Sequence, residues 1–258
     1  MASLANRKIT MFTWGYWGWG NQTQKFIQAV DSIENARGFT PPFFVDIRIS
    51  RSVRAKGFNT DAFHRTLGNR YEWMPGLGNL KILSGSKSEV QIKNPEEADT
   101  LLSIAINKAN NNQRIIFFCA CEFPKLEGNP ESCHRTTVAH LVLAKAKKKL
   151  LPIEIVEWPG GTPQTINMTV TDKMLKEIKH GKKTIAIGNP ALLGKSAAIP
   201  WGIPWGSVAI LSTQSAQVQV VTGPAKYKKG AWVLPIIPIA PSGAAQWCHD
   251  FGLEARTK

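Results

Sequence analysis

Residues 114–121 read RIIFFCAC, a nearly unbroken apolar run closed by polar residues on both sides. A strand with apolar side chains on both of its faces has to be covered on both, which in soluble proteins means a parallel sheet sandwiched between helices. The flanking segments fit that demand. Lys8 to Trp14 reads as a first strand, and Phe26, Ile27, Val30 and Ile33 give residues 24–36 one apolar helical face. Pro41-Pro42 blocks a helix and is expected to open a strand over 43–48. Residues 61–67, 96–110 and 134–150 are expected to be helical, and Ile153 to Val156 a further strand. Strand and helix alternate, so the expected fold class is α/β, with a mainly parallel sheet flanked by helices.

Residues 158–164 (WPGGTPQ) read as a linker, after which the texture changes. Thr171 is suited to cap a short helix over 172–180, and short strands follow at 183–187, 207–211, 216–221 and 231–239. Two domains are therefore expected: an α/β domain over 1–158 and a small, basic, β-barrel-like domain over 165–258. The tandem Ile-Pro-Trp-Gly of residues 199–206 is too short to be a structural repeat.

The 258 residues carry 32 Lys and Arg against 18 Asp and Glu, a formal charge of +14. Residues 161–258 hold 11 of the basic and only 4 of the acidic side chains. Such a field attracts polyanions, above all nucleic acid, because neutralised phosphates release condensed counterions. The plainer reading is an ordinary basic surface. No apolar window is long enough to cross a bilayer, and residues 1–10 lack the apolar run of a secretory signal. With four cysteines and no such signal, a reducing, cytoplasmic setting without membrane association is expected.

Ligands of open α/β sheets bind beyond the carboxyl ends of the strands. Three expected strand ends carry chemistry there. The first delivers Tyr16 and Trp17, candidates to stack on a base. The second delivers Asp46, a candidate acid or base, with Arg48 and Arg51 to hold phosphate; Tyr71 lies in the next aromatic loop. The third delivers Cys119, Cys121 and Glu122, a second acid or base candidate, and leads to Cys133-His134-Arg135 at a helix start. There a cysteine gains thiolate character and Arg135 can hold an anion, which makes Cys133 and His134 catalytic candidates. Cys119, Cys121, Cys133 and His134 are chemically a zinc set, but C-x-C followed eleven residues later by C-H is not a zinc-site spacing. Buried free cysteines are the favoured reading and no cofactor is expected. Residues 188–196 (GNPALLGKS) imitate a phosphate loop with one residue too many between the glycines.

Taken together, Thr13-Trp14-Gly15-Tyr16, Val45-Asp46-Ile47-Arg48 with Ser50-Arg51, residues 71–78 (YEWMPGLG), residues 118–122 (FCACE) and Cys133-His134-Arg135 form five ordered motifs. They resemble the family called domain of unknown function 488, over residues 8–156. The resemblance implies an α/β architecture and brings no established reaction. The insertion over 123–132 and the Trp-rich first loop depart from its pattern. Residues 174–184 (MLKEIKHGKKT) are similar to the helix-then-GKKT segment of PUA-like and ASCH barrels. That likeness implies binding of RNA or modified bases. The expected function is a nucleic-acid-associated enzyme that hydrolyses or modifies a nucleotide or base. A non-catalytic reader of a modified base and a cysteine-dependent sulfur transferase, with Cys133 as nucleophile, are the alternatives.

Overall fold

A computed structural model describes residues 8–17, 19–85, 90–121, 133–161, 165–180, 184–187, 207–223, 226–228 and 230–238. The chain divides into two compact units, Met1–Glu157 and Trp158–Lys258.

In the first unit β1 (Ile9–Gly15), β2 (Thr40–Asp46), β3 (Tyr71–Trp73), β4 (Gln113–Cys119) and β5 (Ile153–Glu157) form one sheet in the order β3-β2-β4-β1-β5. Every ladder in it is parallel. The apolar run of residues 114–121 supplies its central strand, β4. The helices are α1 (Thr23–Ala36), α2 (Ala62–Leu67), α3 (Glu97–Asn110) and α4 (His134–Lys148). Right-handed crossovers place α1 and α2 on one face and α3 and α4 on the other. The packing agrees, because α1 contacts α2 and α3 contacts α4.

The pleat sorts side chains between the two faces. Met11, Phe43, Val45, Ile115, Phe117 and Cys119 pack under α3 and α4. Their neighbours Phe12, Trp14, Phe44 and Phe118 are buried on the other face, with Phe26, Phe58 and Phe63. That second core is aromatic. Trp14 stacks on Phe26 with ring centroids 3.7 Å apart, and Phe118 meets Phe63 edge-on at 5.2 Å. Near its margin the buried Glu34 is answered by Arg114 at 2.6 Å and Arg37 at 3.2 Å.

Two elements differ from expectation. β2 begins at Thr40 and runs through the prolines, with a register irregularity between Thr40 and Phe43. A proline cannot donate to the ladder, so the bulge absorbs the pair. The short β3 arises in the expected loop, carried by three residues paired with Phe44 to Asp46.

The second unit has β6 (Thr165–Thr169), α5 (Asp172–Lys179), β7 (Thr184–Ile187), β8 (Ser207–Ser212), β9 (Gln217–Thr222), β10 (Lys226–Lys228) and β11 (Ala231–Pro238). Thr171 caps α5, its hydroxyl accepting from the Met174 N–H at 3.2 Å. The strands form a six-stranded mixed sheet, β10-β11-β9-β8-β6, with β7 on β11. β6 and β8 are parallel and the other ladders antiparallel. No ladder joins β6 to β10 or β7 among the described residues. Ile166, Leu175, Ile178, Ile185, Ala209, Leu211, Val220, Leu234 and Ile236 form its core. The tandem tetrapeptide and the phosphate-loop imitation lie outside the described residues.

Candidate functional site

At the carboxyl edge of the parallel sheet, β4 sends α4 to one face while its neighbours β2 and β1 send α2 and α1 to the other. Crevices of this kind are where α/β sheets hold ligands. Two polar clusters occupy the edge, one on each face.

The first stands on the aromatic face, around the last residue of β2. Asp46 is fully buried, so its charge needs partners. Oδ1 accepts from Arg48 Nε at 2.7 Å and from the Arg48 backbone N–H at 3.1 Å. Oδ2 accepts from Arg48 Nη2 and, at 2.8 Å, from the Tyr71 hydroxyl. Arg48 also donates from Nη1 to Tyr16 OH at 3.3 Å and to the Phe58 carbonyl at 3.0 Å. Its guanidinium carbon lies 5.0 Å from the centre of the Tyr16 ring, which stacks on Phe58. Burial by itself would lower the Arg48 pKa; the hydrogen bonds and charge of Asp46 outweigh it and raise it. Burial, followed by the Asp46 carboxylate, pushes the Tyr71 phenol well above its ordinary 10.0. Burial also raises Tyr16, against the opposing pull of Arg48.

Outside this quartet the surface is aromatic and cationic. Trp73, 37% exposed, donates from Nε1 to the Arg48 carbonyl at 2.8 Å. The Arg51 guanidinium lies 4.2 Å over the Trp73 ring and is paired with Asp61 at 2.7 Å. Trp17, in the loop after β1, is 62% exposed.

The second cluster sits on the α3/α4 face, where β4 ends and α4 begins. Cys133 is the N-cap residue of α4, and its Sγ lies 3.1 Å from that of Cys119. The Cys121 Sγ completes a group of three sulfurs, all within 4.8 Å of one another. Arg135, fully buried, donates from Nη1 to Cys119 Sγ at 3.4 Å and to the Cys121 carbonyl at 2.7 Å. From Nη2 it reaches Glu157 at 3.0 Å, and Glu157 accepts in turn from the Thr13 hydroxyl. Burial opposes charge on Cys119, yet hydrogen bonds from Cys121 and Cys133 and the charge of Arg135 hold its pKa well below 9.0. Cys121 is pushed up to about 12 by its bond to Cys119. Cys133 is raised well above its ordinary value, first by burial and then by its hydrogen bonds to Cys119 and Cys121. Of the three sulfurs, Cys119 is the one whose pKa the surroundings lower, although Cys133 holds the helix N-cap. His134 is buried with Nε2 3.1 Å from the Ile47 carbonyl.

The structure thus gathers Tyr16, Asp46, Arg48 and Tyr71 into one network and Cys119, Cys121, Cys133 and Arg135 into another. Arg48 and Arg135 spend their donors inside the fold. Glu122 lies outside the described residues. Glu157 and Trp73 were missed by sequence reasoning. The strand-end rule would have found Glu157 had β5 been extended by one residue past Val156.

No helix among the described residues is long and apolar enough to cross a membrane. Comparison with family models, curated proteins and solved structures finds no match to this chain.

Proposed function

We propose that the chain is a nucleic-acid-associated enzyme that hydrolyses or modifies a nucleotide or base at the carboxyl edge of its parallel sheet. The observation that carries this reading is the enclosed Asp46 carboxylate, held by Arg48 and by the hydroxyl of the half-buried Tyr71. Because no lone pair of Asp46 reaches solvent, Tyr71 is the group that meets the substrate, and Asp46 fixes the direction of its proton. Tyr71 stays protonated across the neutral range and donates that proton to Asp46, so its oxygen accepts from the substrate or an attacking water, whose proton it takes as its own passes to Asp46. Trp73, with Arg51 over its ring, offers a face for a base and a cation for its phosphate. A base within a duplex cannot reach such a site, so the substrate is single-stranded or is flipped out.

The polymer is held by the basic surface. On α5 the exposed Lys173, Lys176 and Lys179 recur every third residue and share one stripe. In this reading residues 8–156 belong with the domain of unknown function 488 family, and the second unit, as a PUA-like barrel, supplies the docking.

The test is turnover of nucleotides and of single-stranded DNA and RNA by Tyr71→Phe. The expected result is loss of turnover by about 100-fold or more, the contribution of a positioned acid–base group, with polymer affinity unchanged. Unchanged turnover removes Tyr71 from the chemistry. Binding without product from the natural chain supports the modified-base reader instead.

A further inference from the structure

We infer that Cys119, Cys121 and Cys133 bind one thiophilic divalent ion of the zinc class, with three protein sulfurs as its ligands among the described residues. This goes beyond the proposed acid–base chemistry, which lies on the other face of the sheet and needs no metal.

Three sulfurs from two different elements, the end of β4 and the first turn of α4, meet within 4.8 Å of one another. Sequence spacing hid this, because eleven residues separate Cys121 from Cys133. The fold removes that distance by placing the N-cap of α4 against the last residue of β4, where the Cys119 and Cys133 Sγ atoms lie 3.1 Å apart. Donors of this kind select soft or borderline ions over magnesium or calcium.

Three thiolates around a divalent ion carry one net negative charge, and the surroundings are arranged for it. The Cys121 N–H points to Cys119 Sγ at 3.4 Å and Arg135 Nη1 donates to the same atom at 3.4 Å. Such outer hydrogen bonds orient and stabilise metal thiolates. The first turn of α4 contributes its positive end. The ion binds thiolates, so its uptake releases to the buffer whatever protons the sulfurs still carry.

His134, next to Cys133 in the chain, is not the fourth ligand through Nε2, which is engaged with the Ile47 carbonyl. Cys121 is the exposed member of the group, with Cys119 and Cys133 buried, and no fourth donor joins the three sulfurs among the described residues.

The experiment is titration of the reduced, chelator-treated full chain with Co2+, followed by displacement with Zn2+. The expected result is one Co2+ per chain, with a sulfur-to-cobalt charge-transfer band and the visible bands of tetrahedral cobalt, both erased by Zn2+. Each of Cys119→Ser, Cys121→Ser and Cys133→Ser weakens binding by about 10-fold or more, whereas Cys248→Ser leaves it unchanged. Circular dichroism checks each variant; should the buried Cys119 or Cys133 variants fail to fold, Cys121→Ser alone carries the comparison. A fully reduced chain without the charge-transfer band overturns the inference. So does a band whose intensity and affinity survive Cys121→Ser.

Discussion

A buried carboxylate keeps its charge only if its lone pairs are answered, and Asp46 is answered four times: three times by Arg48 and once by Tyr71. Removing one partner of such a pair strands the other, which costs more than the pair itself contributes. Arg48→Met is therefore expected to destabilise the first unit by about 3–5 kcal/mol, read as a shift of the urea midpoint. Tyr71→Phe removes one of the four hydrogen bonds to Asp46 and is expected to cost about 1 kcal/mol, so its effect on turnover stays interpretable. Tyr71 also sets a pH dependence. Its folded pKa lies above the unfolded 10.0, so its contribution is whole below pH 10.0 and is lost as the pH rises toward the folded value. Urea midpoints measured above pH 10.0 should fall less steeply in Tyr71→Phe than in the natural chain; an identical fall contradicts the raised pKa. At this scale the sequence was informative about residue types. Asp46, Arg48, Tyr16 and Tyr71 were all legible as strand-end or loop chemistry. That Arg48 would close on Tyr16 and the Phe58 carbonyl was not, because separate strands and a loop must be placed before they meet.

Among the elements, β1 and β4 approach so closely at their carboxyl ends that the backbone itself becomes a constraint. A Cβ on Gly15 would collide with the Cys121 carbonyl and the Arg135 guanidinium. Gly78 meets the Ile49 backbone in the same way. Gly15→Ala is expected to destabilise by about 1–3 kcal/mol, as overpacking does, and to disturb the cysteine cluster because it displaces Cys121 and Arg135 together. An unchanged urea midpoint in Gly15→Ala would contradict the close approach. The long elements were legible because apolar periodicity and runs mark them: α1, α3, α4 and β4 lie within a few residues of their expected bounds. The elements that escaped are those that tertiary pairing creates. β3 is three residues of an aromatic loop held by β2, β6 emerges just past the expected linker, and β2 crosses two prolines that local rules place before a strand.

At the scale of the whole molecule, charge outweighs every other feature. An excess of 14 positive charges raises the local concentration of any polyanion and gives its binding a steep salt dependence. The contrast between the units was readable from composition alone, since the second carries few acidic residues. Its sheet order was not, because β11 divides its length between β10, β7 and β9, a pairing that no local signal encodes. The most direct measurement is equilibrium binding of the full chain to labelled single- and double-stranded DNA and RNA across a salt series. It is paired with the Lys173→Gln, Lys176→Gln, Lys179→Gln triple variant. The account predicts binding near physiological salt, with log K falling linearly in log salt. The slope should shrink by roughly 2–3 in the variant, near one for each phosphate that a lysine no longer neutralises. Absence of binding to all four polymers near physiological salt, or binding indifferent to salt, would contradict it.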